Sequence, residues 1–164
     1  MGKADLESVE KATQSCCRTV QAMLQHARGT GPHLGPASLL LAVERTMSVL
    51  RESLERQDVA VTVSVPADLP AIEGRQNDLD RLVFNLANNA REAMLHGGTL
   101  HVSSQREDGA IRIIIRDTGH GISDEDRGRI FEPFFTTKPN GVGLGLSTCR
   151  LILAEMKGRM DIRS

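Results

Sequence analysis

Asp117 stands at the end of the apolar run that contains Ile111, Ile113, Ile114 and Ile115, and it opens the cluster Asp117-Thr118-Gly119-His120-Gly121-Ile122. A second glycine cluster, Gly141-Val142-Gly143-Leu144-Gly145-Leu146, follows the aromatic stretch Phe131-Glu132-Pro133-Phe134-Phe135-Thr136-Thr137-Lys138. Glycines take positive φ and let a backbone approach a ligand with no Cβ in the way, and the N–H groups that open a helix suit phosphate oxygens. A buried carboxylate needs a hydrogen-bond partner, and an amino group such as N6 of adenine supplies one. Asp117 is therefore expected to be buried, and the two clusters together have the layout of a nucleotide pocket. Neither cluster alone carries that reading.

Asn85, Asn89 and Glu92 fall at i, i+4 and i+7 in a segment where Leu79, Leu82, Val83, Leu86, Ala90 and Ala93 recur at helical spacing, so the three polar residues share one helix face. Most polar stripes are simply solvated. Against this, asparagine is a poor helix former, and Asn85, Asn88 and Asn89 weaken the helix for no local gain. Oxygen donors stacked on one face are a reasonable way to hold Mg²⁺, which keeps several waters and bridges to phosphates. From this helix alone both readings stand.

These residues need elements to position them. Ala4 to Arg28 carries Leu6, Val9, Ala12, Cys16, Val20, Met23, Leu24 and Ala27 at helical spacing and stops at Gly29-Thr30-Gly31-Pro32. A lone amphipathic helix buries its stripe against the next domain or against a second copy of itself, and a homodimer through residues 4–28 is the favoured expectation. Ala37 to Arg56 reads as a second helix. The alternation of Val59, Val61, Val63 and Val65 predicts a half-buried strand stopped by Pro66, with a loop from there to Gly74. Asn77 is the expected N-cap of a helix from Asp78 to about Leu95. A strand over Thr99 to Ser103, a hairpin turn at Glu107-Asp108-Gly109 and a strand from Ala110 to Arg116 follow, and isoleucines on both faces mark the last as central. Ser123 to Arg129 predicts a helical turn, and Leu146 to Lys157 a helix with Gly158 at C′. Met160-Asp161-Ile162 begins another strand.

Composition limits what these elements belong to. A chain of 164 residues with 40% apolar content is one domain, with or without a helical appendage. A net charge of −1 gives no electrostatic case for nucleic acid or for an anionic membrane. Three cysteines, two of them the adjacent Cys16 and Cys17, make neither a disulfide framework nor a zinc spacing and read as reduced thiols. No run approaches the ~20 apolar residues of a membrane span. The expectation is a cytoplasmic domain with no membrane contact of its own, any anchor of a parent protein lying outside this sequence. His26, His33, His96 and His101 occupy ordinary surface or turn positions.

Asn85-Leu86-Ala87-Asn88-Asn89-Ala90-Arg91-Glu92-Ala93 resembles the N box of the sensor histidine kinase ATP-binding domain, Asp117 to Ile122 its G1 box, Phe131 to Lys138 its F box, and Gly141 to Leu146 its G2 box. The order and spacing match over about Leu39 to Ser164. The resemblance implies an α/β fold of Bergerat type, a two-layer sandwich with a mixed sheet and helices on one face, here preceded by a long N-terminal helix. It implies ATP and Mg²⁺ held between the helices and a mobile lid. Asp117 resembles the adenine-reading carboxylate, and Gly119 and Gly121 the wall beside it. Asn89 resembles the Mg²⁺ ligand, with Asn85 and Glu92 a turn to either side. Thr137 and Lys138, then Gly141, Gly143, Leu144, Gly145 and Leu146, resemble the phosphate-facing lid and the helix start behind it. Only Pro139 and Asn140 separate the F and G2 boxes, a very short lid similar to that of nitrogen-regulation and oxygen-sensing kinases. Phe131, Phe134 and Phe135 also serve as packing.

ATPases with the same pocket, such as HSP90, gyrase and MutL proteins, resemble one another in a glutamate four residues before the metal asparagine, the general base for water. Here that position is Asn85, so hydrolysis is expected to be slow and the γ-phosphoryl kept for another acceptor. The acceptor histidine of the family lies in a His-acidic-apolar-basic box, whereas His26 precedes Ala27-Arg28, His96 precedes Gly97-Gly98 and His120 precedes Gly121-Ile122. No histidine fits, so no catalytic residue of that kind is expected in this chain. Residues 1–30 resemble the second dimerisation helix and 37–164 the catalytic domain without its last strand, which reads as a fragment of a larger kinase. The implied partners are ATP or ADP, the phosphoacceptor helix missing here and a downstream response regulator. The alternative is a nucleotide-binding regulatory module that acts by contact, without catalysis. An anti-sigma serine kinase of the same superfamily fits the N-terminal helix and short lid less well.

Overall fold

The computed structural model describes residues 34–138 and 141–164. The expected N-terminal helix and its self-association lie outside the described residues, as do Pro139 and Asn140. Leu34–Ser164 is one compact unit. In chain order it contains β1 (Gly35–Ala37), α1 (Leu39–Arg56), β2 (Val59–Ser64), β3 (Ile72–Gly74), α2 (Gln76–Ala93), β4 (Gly98–Glu107), β5 (Ala110–Asp117), α3 (Asp124–Arg127) and α4 (Gly145–Glu155).

Ser38, extended at φ −97° and ψ 120°, caps α1 by accepting a hydrogen bond from the Leu41 N–H. The Gln76 amide binds both backbone groups of Ser38, accepting from its N–H at 2.7 Å and donating to its C=O at 3.1 Å. This pair ties the starts of α1 and α2 together and is extended by the antiparallel β1–β3 ladder. Sequence reading placed β1 partly in a helix and β3 in a loop, because three residues are too few to display a period. The same tie moves the start of α2 upstream of the expected Asn77 cap: the helix begins at Gln76, with Arg75 as an N-cap that makes no side-chain bond.

The main sheet has the order β2-β4-β5, with β2 parallel to β4 and β4 antiparallel to β5. It is mixed, as expected, and α2 packs against α1, α4 and both β4 and β5. Leu100 and Val102 of β4 are fully buried in a core shared with Val43, Leu54, Leu79, Val83, Ala87 and Cys149. β5 is not the central strand. Among the described residues it pairs with β4 alone, β4 lying in the middle, and Ile114 is on the open face between Arg112 and Arg116 with 36% exposure. Isoleucine content reported hydrophobicity but not the number of neighbouring strands. At the opposite end, Val59 of β2 is buried and Val65 packs half-buried on the core, while Val61 and Val63 between them are 40% and 45% exposed. The β4–β5 hairpin turns through Asp108 (φ 48°) and Gly109 (φ 80°), the paired left-handed conformations that a two-residue turn requires.

α4 ends one residue differently from expectation. Lys157, not Gly158, takes the left-handed conformation (φ 55°). Its N–H donates to the Ala154 C=O, and the Gly158 N–H donates to the Leu153 C=O at 2.7 Å, the two bonds of a Schellman turn. A Cβ at Gly158 would stand 2.9 Å from Leu153 Cδ2, the movable end of a side chain. Met160-Asp161-Ile162 forms no strand. Met160 packs on the core, and the chain runs to Ser164, whose hydroxyl accepts from the Ile122 N–H and whose C=O accepts from Arg127.

Because Leu100 is fully buried at the centre of the sheet, Leu100→Ala should lower unfolding free energy by about 2–5 kcal/mol. Urea denaturation measures this, and a loss under about 1 kcal/mol would contradict the packing described.

Candidate functional site

β5 delivers Asp117 at the sheet's end. The residue is exposed, which corrects the expectation of burial, and its Oδ1 accepts from the Gly119 N–H at 2.9 Å. Thr118 Oγ1 accepts from the Thr99 N–H at 2.9 Å, which fastens this loop to β4. Gly119 is required by close approach, since a Cβ there would stand 2.6 Å from Ala93 Cβ and 2.7 Å from Ala93 O. The His120 N–H donates to that same Ala93 oxygen at 3.2 Å. The carboxylate loop is thus seated on the C-terminal end of α2. Gly121, at φ 72°, meets Ser164.

The other polar face of α2 is not merely solvated. Asn89 Oδ1 accepts from Lys138 Nζ at 3.0 Å, and Glu92 Oε2 forms an ion pair with the same ammonium. Glu92 Oε1 accepts from Asn88 Nδ2 at 2.9 Å, Asn88 Oδ1 accepts from Arg91 Nε at 3.0 Å, and Arg91 also donates to Gln57 Oε1. Burial pushes the Glu92 carboxyl upward, but Lys138, Asn88 and Arg91 outweigh it and hold the pKa below the ordinary 4.5. Asn85 Nδ2 donates to the Gly145 C=O at 3.4 Å, and a Cβ on Gly145 would stand 3.7 Å from Asn89 Nδ2. The first turn of α4 therefore faces Asn85 and Asn89. Beneath it Cys149 is buried, and its burial pushes the thiol up to about 11.

A backbone clasp joins Phe134 to Gly143. Phe134, itself at φ 70°, donates its N–H to the Gly143 C=O at 2.8 Å. Gly143 sits at φ 71°, and a Cβ there would stand 2.6 Å from Phe135 O, so both conformation and space demand glycine. Arg129 covers the Phe135 ring at 4.3 Å and Arg150 the Phe131 ring at 5.1 Å. Gly141 donates its N–H to Lys138 O, and Leu144 caps α4, accepting from the Ser147 hydroxyl.

Among the sequence-predicted residues, the structure brings together Asn85, Asn89, Glu92, Lys138 and Gly145 in one group and Asp117 and Gly119 in another, both on α2. Gly141, Gly143 and Leu144 belong to the clasp and the helix start; Leu146 is half-buried in the first turn of α4. Thr137 is exposed and joins neither group. Its neighbour Thr136, which sequence reading passed over, accepts from the Lys138 N–H at 3.1 Å. Arg91 and Thr118 were missed too. The i+3 spacing of Asn88 and Arg91 was the available signal for the first, and nothing local signals the second. Among the described residues no group of three or more His, Cys, Asp or Glu is disposed to hold a metal ion, and no helix is long and apolar enough to cross a membrane.

Residues 74–164 match the family described as histidine kinase-, DNA gyrase B-, and HSP90-like ATPase. The chain is 35% identical over 136 residues to the sensor histidine kinase TmoS of Ectopseudomonas mendocina, covering 79% of this chain and 14% of that one. It is 27% identical over 162 residues to the C4-dicarboxylate transport sensor protein DctB of Rhizobium meliloti, covering 98% of this chain and 26% of that one. The catalytic domain of the histidine kinase ThkA superposes with a TM-score of 0.69 at 26% identity, over 76% of this chain and 82% of that one. The chain belongs to the histidine kinase-, DNA gyrase B-, and HSP90-like ATPase family, and its fold is the ATP-binding α/β fold of histidine kinase catalytic domains. It spans about a quarter or less of the length of these two curated relatives.

Two measurements check the site's electrostatics. A carboxylate with a lowered folded pKa contributes stability that is complete above the ordinary 4.5 and is lost as pH falls through the lowered value. The unsubstituted chain should therefore lose more stability than Glu92→Gln on acidification below that point, read by chemical denaturation at graded pH; parallel curves would contradict the pairing. In a Cys16→Ser, Cys17→Ser background, Cys149 should resist a thiol-specific disulfide reagent at pH 8 and react fully in urea.

Proposed function

We propose that this chain carries the ATP-binding catalytic domain of a sensor histidine kinase, which transfers the γ-phosphoryl of ATP to a histidine on a separate helix and passes it to a response regulator. The observation that supports this reading is the double use of α2. Its C-terminal end seats Gly119 and, through it, the Asp117 carboxylate; one turn earlier Asn89 meets Lys138, and two turns earlier Asn85 meets the start of α4. Eight residues separate Asn85 from Ala93, a rise of about 12 Å, which suits an elongated ligand with a heterocycle at one end and phosphates at the other.

In this reading Asp117 Oδ2 accepts from the adenine amino group, and Gly119 and Gly121 form the wall beside the ring. Asn89 Oδ1 serves Mg²⁺, with Asn85 and Glu92 bounding the site on α2. The donor chemistry fits: an amide oxygen and a carboxylate that already hold an ammonium are the hard oxygens a divalent cation takes. Mg-ATP bound there supplies the phosphoryl group and the charge that neutralises it. Thr137, Lys138, Gly141, Gly143, Leu144, Gly145 and Leu146 enclose the phosphates. Asn85 is an amide and takes no proton from water at neutral pH, which favours transfer over hydrolysis. The histidine kinase ThkA, similar in fold, is described in complex with the response regulator protein TrrA, which supports a regulator as the downstream partner. The fold's ATP requirement suits a cytoplasmic setting.

Calorimetric titration with ADP, with and without Mg²⁺, tests the reading on this chain and on Asp117→Asn. Micromolar binding (~8 kcal/mol) that the substitution removes is expected, together with phosphoryl transfer to an added histidine-bearing dimerisation helix. Binding without transfer would instead leave a nucleotide-holding module that acts by contact.

A further inference from the structure

We propose that Arg91 is the positioning residue for the metal and phosphate end of the site: anchored on Gln57, it holds Asn88 and Glu92 so that one carboxylate oxygen of Glu92 is occupied and the other is presented beside Asn89 Oδ1. This deepens the proposed function and rests on it for the identity of the cation that meets those oxygens.

The Arg91 side chain is 19% exposed, and each of its nitrogens has a partner. Nε donates to Asn88 Oδ1 at 3.0 Å, one terminal nitrogen to Gln57 Oε1 at 3.0 Å and the other to Glu92 Oε1 at 3.4 Å. Asn88 Nδ2 donates to the same Glu92 Oε1 at 2.9 Å. Oε1 is thereby taken from two sides. Oε2 is left to meet the Lys138 ammonium, which also donates to Asn89 Oδ1 at 3.0 Å. The ammonium marks one point on which an amide oxygen and a carboxylate oxygen converge. Gln57 caps the end of α1, its N–H bonded to the Ser53 and Leu54 carbonyls. The brace therefore fixes Glu92 against a second helix as well as its own.

A basic residue in the last turn of α2 also suits the helix dipole, and for that purpose lysine would serve as well. Lysine does not serve the brace, because acceptors on three different residues need the planar guanidinium with its fixed donors. Charge is not the contribution either. A positive group beside Glu92 repels an arriving metal, so what Arg91 adds to metal affinity comes through geometry. Released from the brace, the half-buried carboxylate would spread over several rotamers and lose its convergence with Asn89. Groups that orient a metal ligand from behind are worth about 10–100-fold in metal affinity.

The test uses the whole chain with Gln57→Leu, Arg91→Lys and the double substitution, each first shown by circular dichroism to be folded. Both substitutions leave the local charge unchanged, so only geometry differs. ADP binding is titrated calorimetrically in EDTA and at graded Mg²⁺. Arg91→Lys should raise the Mg²⁺ concentration that half-tightens ADP binding by about tenfold and Gln57→Leu by less, with affinity in EDTA unchanged. The double should fall no further than Arg91→Lys, because both changes act on one brace. An unchanged Mg²⁺ requirement in both single variants, additive losses in the double, or equal losses with and without Mg²⁺ would each overturn the positioning role. Failure of the functional reading looks different: the unsubstituted chain would bind no ADP. The brace is then still read without nucleotide, by hydrogen exchange at the Arg91 Nε–H followed by nuclear magnetic resonance. Faster exchange in Gln57→Leu than in the unsubstituted chain is expected, and equal exchange would overturn the anchoring.

Discussion

α2 commits Leu79, Leu82, Val83, Ala87 and Ala90 to the core, and that burial determines where every other residue of the helix points. At 3.6 residues per turn, a rotation large enough to move Asn85 or Asn89 off the site would expose at least one of the buried leucines, a loss of about 1.5–3 kcal/mol for each. The polar face is therefore held in place by apolar contacts made on the other side. The same burial carries the Ala93 carbonyl to the carboxylate loop and Asn85 to the first turn of α4, so two groups that never touch keep a constant separation.

Asp117, Asn89, Lys138 and the glycines of the lid were legible because their types are informative at short range. Glycine at 119 and 143 is demanded by a neighbour's backbone, and three asparagines in one helix face ask for an explanation. The sheet order was legible only in part. Isoleucine at 111, 113, 114 and 115 records that β5 is apolar, but whether one strand or two flank it depends on chain segments far away. β1 and β3 escaped notice because three-residue strands have no period, and the Ser38–Gln76 tie that organises them spans 38 positions. The exposure of Asp117 was misjudged for a related reason: its burial depended on what else packs at the end of β5, which local sequence does not contain.

Around Glu92 the charges are arranged so that none is left alone. Burial alone would favour the neutral acid; one ammonium, one guanidinium and one amide reverse that preference. Arg129 and Arg150 cover the aromatic rings of the F box rather than joining this network, so the positive groups near the lid are divided between packing and pairing. Lys138 alone among these reaches the polar face of α2.

The parallel pairing of β2 with β4 sets Val59 beside Gly98, and the intervening chain includes all of α2. Parallel neighbours need such a crossover, and ring closure over that many residues carries an entropic penalty until the connecting helix exists to bridge them. The speed at which this domain acquires its sheet is therefore tied to how readily α2 winds up. Its asparagines, among the weaker helix formers, lower the population of that helix before the sheet is in place. Substitutions on this one helix consequently alter the kinetics of assembly as well as the finished structure, and refolding rate becomes a second, independent readout of the segment that carries Asn85, Asn89 and Glu92.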